Sequence, residues 1–198
     1  MKLAETKQAG RMEIRIAGTG GQGLILSAKM LADALASGGR RVAQSQTYEP
    51  TSRGGFCNSD LVISEGEVDF PLATEIDYLV LLDRLAVKPS WPLLKAGALV
   101  IADTRLCPAL PEGDYRGYHL PLTRTAIELG SERVANIVAL GALAALAGLC
   151  DRNALEQAVR AETPKSFLDL NLDALDAGYR IAEQFAPQLP AGRVANLG

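Results

Sequence analysis

The pattern of apolar and polar residues over the first third of the chain predicts a β-strand, a helix and two further strands. Apolar residues alternate with polar ones over 12–17, as in a strand with one buried face. They then recur at helical spacing over 24–35, and the glycine pair at 38–39 ends that helix. Strand-like runs follow at 41–46 and 60–63, so the order is β-loop-α-β-loop-β.

Two uninterrupted apolar runs in the middle of the chain, 78–82 and 98–102, predict buried strands. Strands without a polar face are typical of the centre of a parallel sheet that is covered on both sides. Between these strands, residues 91–97 predict a short helix that ends at a glycine, and 119–122 predict a last short strand.

The C-terminal third of the chain carries helical patterns. The apolar run at 134–149 is shorter than the ~20 residues that a membrane-spanning helix requires, so it predicts a buried helix. Asp151 is placed to cap a helix over 153–161, and the final helix extends over 168–186.

Small residues line one side of the helix at 134–149. Gly141, Ala144, Ala145 and Gly148 recur at steps of three and four residues, which leaves this side nearly bare. Such a side predicts close packing on a sheet or on another subunit. Together with exposed loops, it suggests a large interface with partner chains.

These elements predict an α/β fold, a three-layer Rossmann-like sandwich with a mostly parallel sheet and a helical C-terminal third. We expect a disordered or frayed N-terminus over 1–11, a single domain over 12–187 and a frayed C-terminus over 188–198.

Composition excludes several classes of protein. With 48% hydrophobic and 22% charged residues, the 198-residue chain is globular, and its net charge of -3 and 5% aromatics argue against nucleic-acid binding. Cys57, Cys107 and Cys150 are widely spaced, which argues against a disulfide framework or a metal site in this chain. Without a signal peptide or a membrane span, the expected location is the cytoplasm.

A glycine-rich motif, Gly18-x-Gly20-x-x-Gly23, lies between the first strand and the first helix. Such a loop brings backbone N–H groups and a helix N-terminus to a phosphate without Cβ atoms in the way. The alternative is a tight βα turn whose glycines only permit close packing of the helix on the sheet. The sequence leaves both open.

The surrounding residues narrow the choice of phosphate compound. An NAD site requires an acidic residue at the end of the second strand, but residues 43–46 contain none and Glu49 lies beyond it. A coenzyme A diphosphate fits as well or better. Arg53, beside Gly54 and Gly55, is a candidate partner for phosphate or carboxylate, or else a solvated residue of a surface turn.

Four motifs together resemble the gamma subunit of 2-oxoacid:ferredoxin oxidoreductases. The glycine motif at 18–26 resembles the family's opening motif, and 48–64 resembles its tyrosine-proline and Arg-Gly-Gly signature. Residues 133–142 resemble its asparagine-bearing helix, and 170–179 its C-terminal helix.

The resemblance implies a subunit of an enzyme that decarboxylates a 2-oxoacid, transfers the acyl group to coenzyme A and reduces ferredoxin. Thiamine diphosphate, Mg²⁺ and 4Fe–4S clusters are then expected on alpha, beta and delta-type partners, with no catalytic or metal-binding residue on this chain, no nucleic acid and no membrane. The expected coenzyme A-binding residues are Gly18, Thr19, Gly20, Gly21, Gln22, Gly23, Arg53, Gly54 and Gly55.

Alternatives remain at this point. The chain could be an indolepyruvate oxidoreductase beta-type subunit, an independent Rossmann oxidoreductase that binds NAD(P) or flavin, or a structural subunit whose loop binds nothing. Asp83 and Asp103 follow buried strands and could bind ligand or cap the next helices, and Cys57 could be a reactive thiol or a buried small side chain. The sequence does not identify the 2-oxoacid substrate or the stoichiometry of the subunits. It also does not show whether the glycine loop contacts coenzyme A directly.

Overall fold

A computed structural model describes residues 10–49, 54–64, 66 and 72–185. These residues form six strands: β1 (Met12–Thr19), β2 (Arg41–Tyr48), β3 (Phe56–Ser64), β4 (Ile76–Leu81), β5 (Leu94–Asp103) and β6 (Tyr115–Leu120). The α-helices are α1 (Leu24–Ser37), α2 (Val87–Ser90), α3 (Leu122–Glu128), α4 (Ala135–Ala147), α5 (Arg152–Glu162) and α6 (Leu168–Phe185).

The strands make one sheet in the order β2-β3-β1-β4-β5-β6. Strands β1, β4, β5 and β6 are parallel neighbours, whereas β3 is antiparallel to both β1 and β2. The expected mostly parallel sheet is confirmed, with β3 as the exception. The predicted central strands, β4 and β5, are parallel, and they are buried over 79–81 and 98–103.

Each face of the sheet has its own apolar core, so the three-layer expectation is confirmed. The longer helices cover one face, where Ile14 and Ile16 of β1 pack with α1 and α4. Short helical segments at 84–93 and the chain that follows β5 cover the other face, which includes Ala17 of β1.

A buried ion pair lies on the face covered by the short helical segments. The Arg15 guanidinium donates two hydrogen bonds of 2.7 Å to the Asp60 carboxylate, one from Nε to Oδ1 and one from Nη2 to Oδ2. The side chains of Arg15 and Asp60 are only 8% and 6% exposed. Asn58 also donates to Asp60, and Arg15 reaches the carbonyl of Pro89, so the pair ties β1 and β3 to the layer above.

Helices α4 and α6 cross at a glycine contact. A Cβ on Gly178 would lie 3.0 Å from Gly141 Cα and 2.9 Å from Ala142 N, and would clash with the Val138 carbonyl oxygen. The bare side of α4 is therefore filled at Gly141 by α6 of the same chain. The expectation that this side packs on the sheet or on another subunit is wrong there, and Gly141 is no argument for a partner interface.

Most predicted elements are confirmed, and two differ. The expected helix at 91–97 is a single 3₁₀ turn, Trp91–Leu93, after which β5 begins at Leu94. So few residues cannot offset the cost of starting a helix, whereas Leu94 pairs with Ile76 of β4 in the sheet. The last strand also begins earlier than the pattern at 119–122 predicts.

The expected chain ends lie mostly outside the described residues. Of the N-terminal segment 1–11, Gly10 and Arg11 are described, and Arg11 donates to Glu13 Oε1 at 2.7 Å and to the Leu72 carbonyl. The C-terminal segment 188–198 is not described. Among the described helices, none has the length and apolarity needed to cross a membrane.

Candidate functional site

The glycine motif forms the loop between β1 and α1, as the sequence predicts. The loop leaves the carboxyl end of β1, which has β3 on one side and β4 on the other. From β1 the chain goes first to β2 and β3 on one side of the sheet, and later to β4 on the other. A crevice at such a switch point is where open α/β sheets bind ligands.

Gln22 holds the loop in shape from within. Its side-chain oxygen accepts a hydrogen bond from Thr19 N at 2.7 Å, and its Nε2 donates to the Leu82 carbonyl at 3.1 Å. Gly20 N donates to the Gly55 carbonyl at 3.1 Å, which connects the loop to the start of β3. A Cβ on Gly18 would collide with the Gln22 amide. Gln22 and Gly18 therefore have structural roles, and the N–H groups of Thr19 and Gly20 are already used.

The N–H groups that remain free lie at the end of the loop and at the start of α1. Within the described part of the chain, no acceptor is recorded for the N–H of Gly21, Gly23, Leu24, Ile25 or Leu26. Helix α1 has no acidic residue in its first turn and no side-chain cap, so nothing in the helix offsets the positive end of its dipole. These N–H groups make a site that favours an anion.

The loop glycines differ in why the structure requires them. Gly21 and Gly23 have φ of 99° and 72°, a left-handed conformation that side chains other than glycine rarely adopt. At Gly20, φ lies outside this region and an added Cβ would meet no described atom within 4 Å. The tight-turn interpretation thus accounts for Gly18, Gly21 and Gly23, but not for Gly20.

Asn136, at the start of α4, contacts the end of the loop. Its Nδ2 donates to the Gly23 carbonyl at 3.0 Å, while its Oδ1 is buried and has no hydrogen-bond partner among the described residues. The residue is 4% exposed. An unpaired buried oxygen of this kind is costly. The sequence placed Asn136 in a family motif but did not connect it with the loop, because 113 positions separate it from Gly23.

An open cleft of about 450 Å³ lies beside the free N–H groups. Its lining includes Gly21, Gly23, Ile25 and Leu26, with Lys29 at one side and Cys57 of β3 at another. The Lys29 ammonium forms ion pairs with Glu162 at 2.5 Å and Asp33 at 3.1 Å, and these hydrogen bonds raise its pKa. The Lys29 charge at the cleft is therefore already paired with two carboxylates. Sequence reasoning missed it, although its spacing from Ile25 puts both on one side of α1.

Cys57 is a small buried side chain of the apolar core, as the second of the two interpretations predicts. It is 6% exposed, and burial raises the pKa of its thiol. A neutral thiol at pH 7 is a poor nucleophile. Cys57 pairs with Gly18 of β1 and with Tyr48 of β2, so these three residues lie side by side across the sheet.

The other predicted site residues fall into two groups. Arg53 lies outside the described residues, while Gly54 and Gly55 lead into β3, next to the glycine loop. Asp83 and Asp103 have capping roles: Asp83 accepts from Leu85 N, and Asp103 accepts from backbone N–H groups that include Thr123 N. No group of three or more His, Cys, Asp or Glu is placed to hold a metal ion in the described ranges.

Comparison with known proteins agrees with the motifs. Residues 13–181 match the model of the family described as pyruvate ferredoxin/flavodoxin oxidoreductase. The chain belongs to this family. The 2-oxoglutarate synthase subunit KorC of Methanocaldococcus jannaschii is 38% identical over 178 residues, which is 88% of this chain and 95% of the relative.

Solved structures support the same assignment. The gamma subunit of a keto/oxoacid ferredoxin oxidoreductase from Geobacter sulfurreducens superposes with a TM-score of 0.81 at 39% identity, over 93% of this chain and all of that subunit. A 2-oxoglutarate:ferredoxin oxidoreductase from Magnetococcus marinus, with 2-oxoglutarate, coenzyme A and succinyl-CoA bound, gives 0.80 at 26% identity. That match covers 95% of this chain and 33% of the longer one.

Within this family, the chain is a gamma-type subunit of a 2-oxoacid:ferredoxin oxidoreductase, as the motifs indicated. It is therefore part of a multi-subunit enzyme. The indolepyruvate subunit IorB of Archaeoglobus fulgidus also matches, at 26% identity over 87% of this chain, which is well below KorC. These matches do not support an independent oxidoreductase that binds NAD(P) or flavin.

Proposed function

We propose that this gamma subunit binds the diphosphate of coenzyme A at the cleft beside the glycine loop. The observation that carries the proposal is the set of free N–H groups at Gly21, Gly23 and the first turn of α1. They converge on an open cleft that Gly21, Gly23 and Ile25 line. A diphosphate suits these donors because its two phosphates accept from loop and helix at once.

The residues at the cleft have different roles in binding coenzyme A. The N–H groups of the loop and of α1 hold the phosphate oxygens. Arg53 remains a predicted cation of the site, and the roles of Thr19, Gly54 and Gly55 in binding remain predictions. The thiol arm of coenzyme A then extends toward a partner subunit, where the acyl group is transferred.

The wider assignment follows from the resemblance and from the relatives. Thiamine diphosphate, Mg²⁺ and the 4Fe–4S clusters are proposed to lie on alpha, beta and delta-type subunits, with ferredoxin as electron acceptor. The cytoplasmic location also remains a prediction.

We further propose 2-oxoglutarate as the 2-oxoacid, because the KorC relative is a 2-oxoglutarate synthase subunit that matches this chain over nearly its whole length. The complex purified with this chain should oxidise 2-oxoglutarate, in the presence of coenzyme A and a viologen dye, with a higher kcat/KM than pyruvate, 2-oxoisovalerate or indolepyruvate. A preference for any of the other three would contradict this substrate while leaving the coenzyme A site intact.

A charge placed at the start of α1 tests the coenzyme A site. Ile25 lines the cleft and is 39% exposed, so Ile25→Glu can be accommodated without repacking the core. The new carboxylate would occupy the free N–H groups that the phosphate needs. Because hydrogen bonds to a charged group contribute about 1.5–3 kcal/mol, we expect the KM for coenzyme A to rise about tenfold or more.

The matched control is Ile25→Gln, which has the same shape without the charge. It should leave the KM for coenzyme A close to that of the wild type, and neither variant should change the KM for the 2-oxoacid. A glutamate in the first turn favours the helix, so misfolding would not explain a loss of affinity. Equal KM values for coenzyme A in Glu and Gln variants would rule out phosphate binding at this helix terminus.

A further inference from the structure

We propose that Tyr48 is the platform on which the adenine ring of coenzyme A stacks. The proposal rests on the coenzyme A site proposed above and adds a residue to it. Tyr48 is the last residue of β2, and at 64% exposure it is the most exposed of the large hydrophobic side chains in the described part of the chain. An aromatic ring left in water is available for stacking.

The register of the sheet puts Tyr48 on the same face as the cleft. Tyr48 is paired with Cys57 of β3, and Cys57 with Gly18 of β1. Side chains of directly paired residues point to the same face of a sheet, and Cys57 lines the cleft. Gln44, four residues earlier on β2 and therefore on the same face, donates to the Ile25 carbonyl at 3.1 Å. This contact identifies the face as the one that carries α1.

The separation between Tyr48 and the glycine loop suits an adenosine nucleotide. Two strand spacings separate Tyr48 from Gly18, a distance of about 10 Å across the sheet. In coenzyme A a single ribose lies between the diphosphate and the adenine, and it spans a distance of this order. With the diphosphate at the start of α1, the base can therefore reach the tyrosine ring. Stacking requires no acidic residue for the ribose, in keeping with the absence of one at the end of β2.

The test compares two acyl acceptors in the complex purified with its partner subunits. Coenzyme A carries the 3′-phosphoadenosine on a diphosphate, whereas phosphopantetheine carries the same thiol arm with one phosphate and no nucleoside. Because stacking of a base on an aromatic side chain contributes about 1–3 kcal/mol, Tyr48→Ala should raise the KM for coenzyme A about tenfold. The KM for phosphopantetheine should not change, and Tyr48→Phe, which keeps the ring, should resemble the wild type with both acceptors.

Other outcomes would contradict stacking of the adenine ring on Tyr48. An equal rise for both acceptors in Tyr48→Ala, or a Phe variant as impaired as the Ala variant, would show that the ring does not act on adenine. Loss of partner subunits from the Ala variant would assign Tyr48 to a subunit contact instead. If Ile25→Glu raises the KM for coenzyme A while Tyr48→Ala does not, the platform is wrong and the proposed site stands. If neither variant changes it, both proposals fail.

Discussion

Replacing Asp60 by alanine is expected to lower the free energy of unfolding by about 3–5 kcal/mol, because the change leaves a buried charge without its partner. The Arg15 guanidinium donates both of its short hydrogen bonds to this carboxylate, and both side chains are less than a tenth exposed. Asn58 would lose its acceptor as well. The measurement is urea denaturation of the purified chain, followed by far-UV circular dichroism.

An exposed ion pair provides the matched control. Arg124 and Glu128 form an i,i+4 pair on α3, with side chains 78% and 61% exposed. Glu128→Ala should change the free energy of unfolding by less than about 0.5 kcal/mol, because water and salt screen such a pair. Similar losses for Asp60→Ala and Glu128→Ala would mean that the buried pair contributes nothing beyond an ordinary surface contact.

Gly178→Ala is expected to lower the free energy of unfolding by about 3 kcal/mol, near the upper end for overpacking a core. The added methyl would meet the backbone of α4 at Val138, Gly141 and Ala142, so the two helices would have to separate. Alanine is favoured over glycine within a helix by about 1 kcal/mol, which only partly offsets this cost. The same denaturation experiment measures the loss.

Asp173→Ala provides the comparison for that variant, since Asp173 is an exposed residue of the same helix. It should leave stability unchanged or raise it slightly, because alanine has the better helix propensity. If Gly178→Ala were as stable as Asp173→Ala, the close crossing of α4 and α6 would be wrong.

The sheet and the glycine loop could be predicted because their signals are local. Alternation over β1 and continuous apolar runs over β4 and β5 each reflect how one strand is buried. The loop glycines mark the βα turn for a similar reason, since Gly21 and Gly23 adopt a backbone conformation that their own residue type permits. Asp151, the predicted cap, accepts from Ala154 N at the start of α5.

The remaining features depend on contacts between distant parts of the chain. The bare side of α4 is evident in its sequence, but nothing near Gly141 indicates that Gly178 fills it. Asn136 contacts the loop only through helix packing, and Tyr48 lies on the same face of the sheet only through strand register. The sequence also suggested that Gly18–Gly23 would offer its N–H groups as a set. Only the structure shows that Gln22 and Gly55 already engage some of them.

The account depends most on coenzyme A lying at the glycine loop of this subunit. The most direct test is a cryo-electron microscopy map of the assembled oxidoreductase with coenzyme A bound. We expect density for the diphosphate within hydrogen-bonding distance, about 3 Å, of the N–H groups of Gly21, Gly23 and the first turn of α1. Coenzyme A bound entirely on other subunits, with this cleft filled by water or by a partner side chain, would contradict the account.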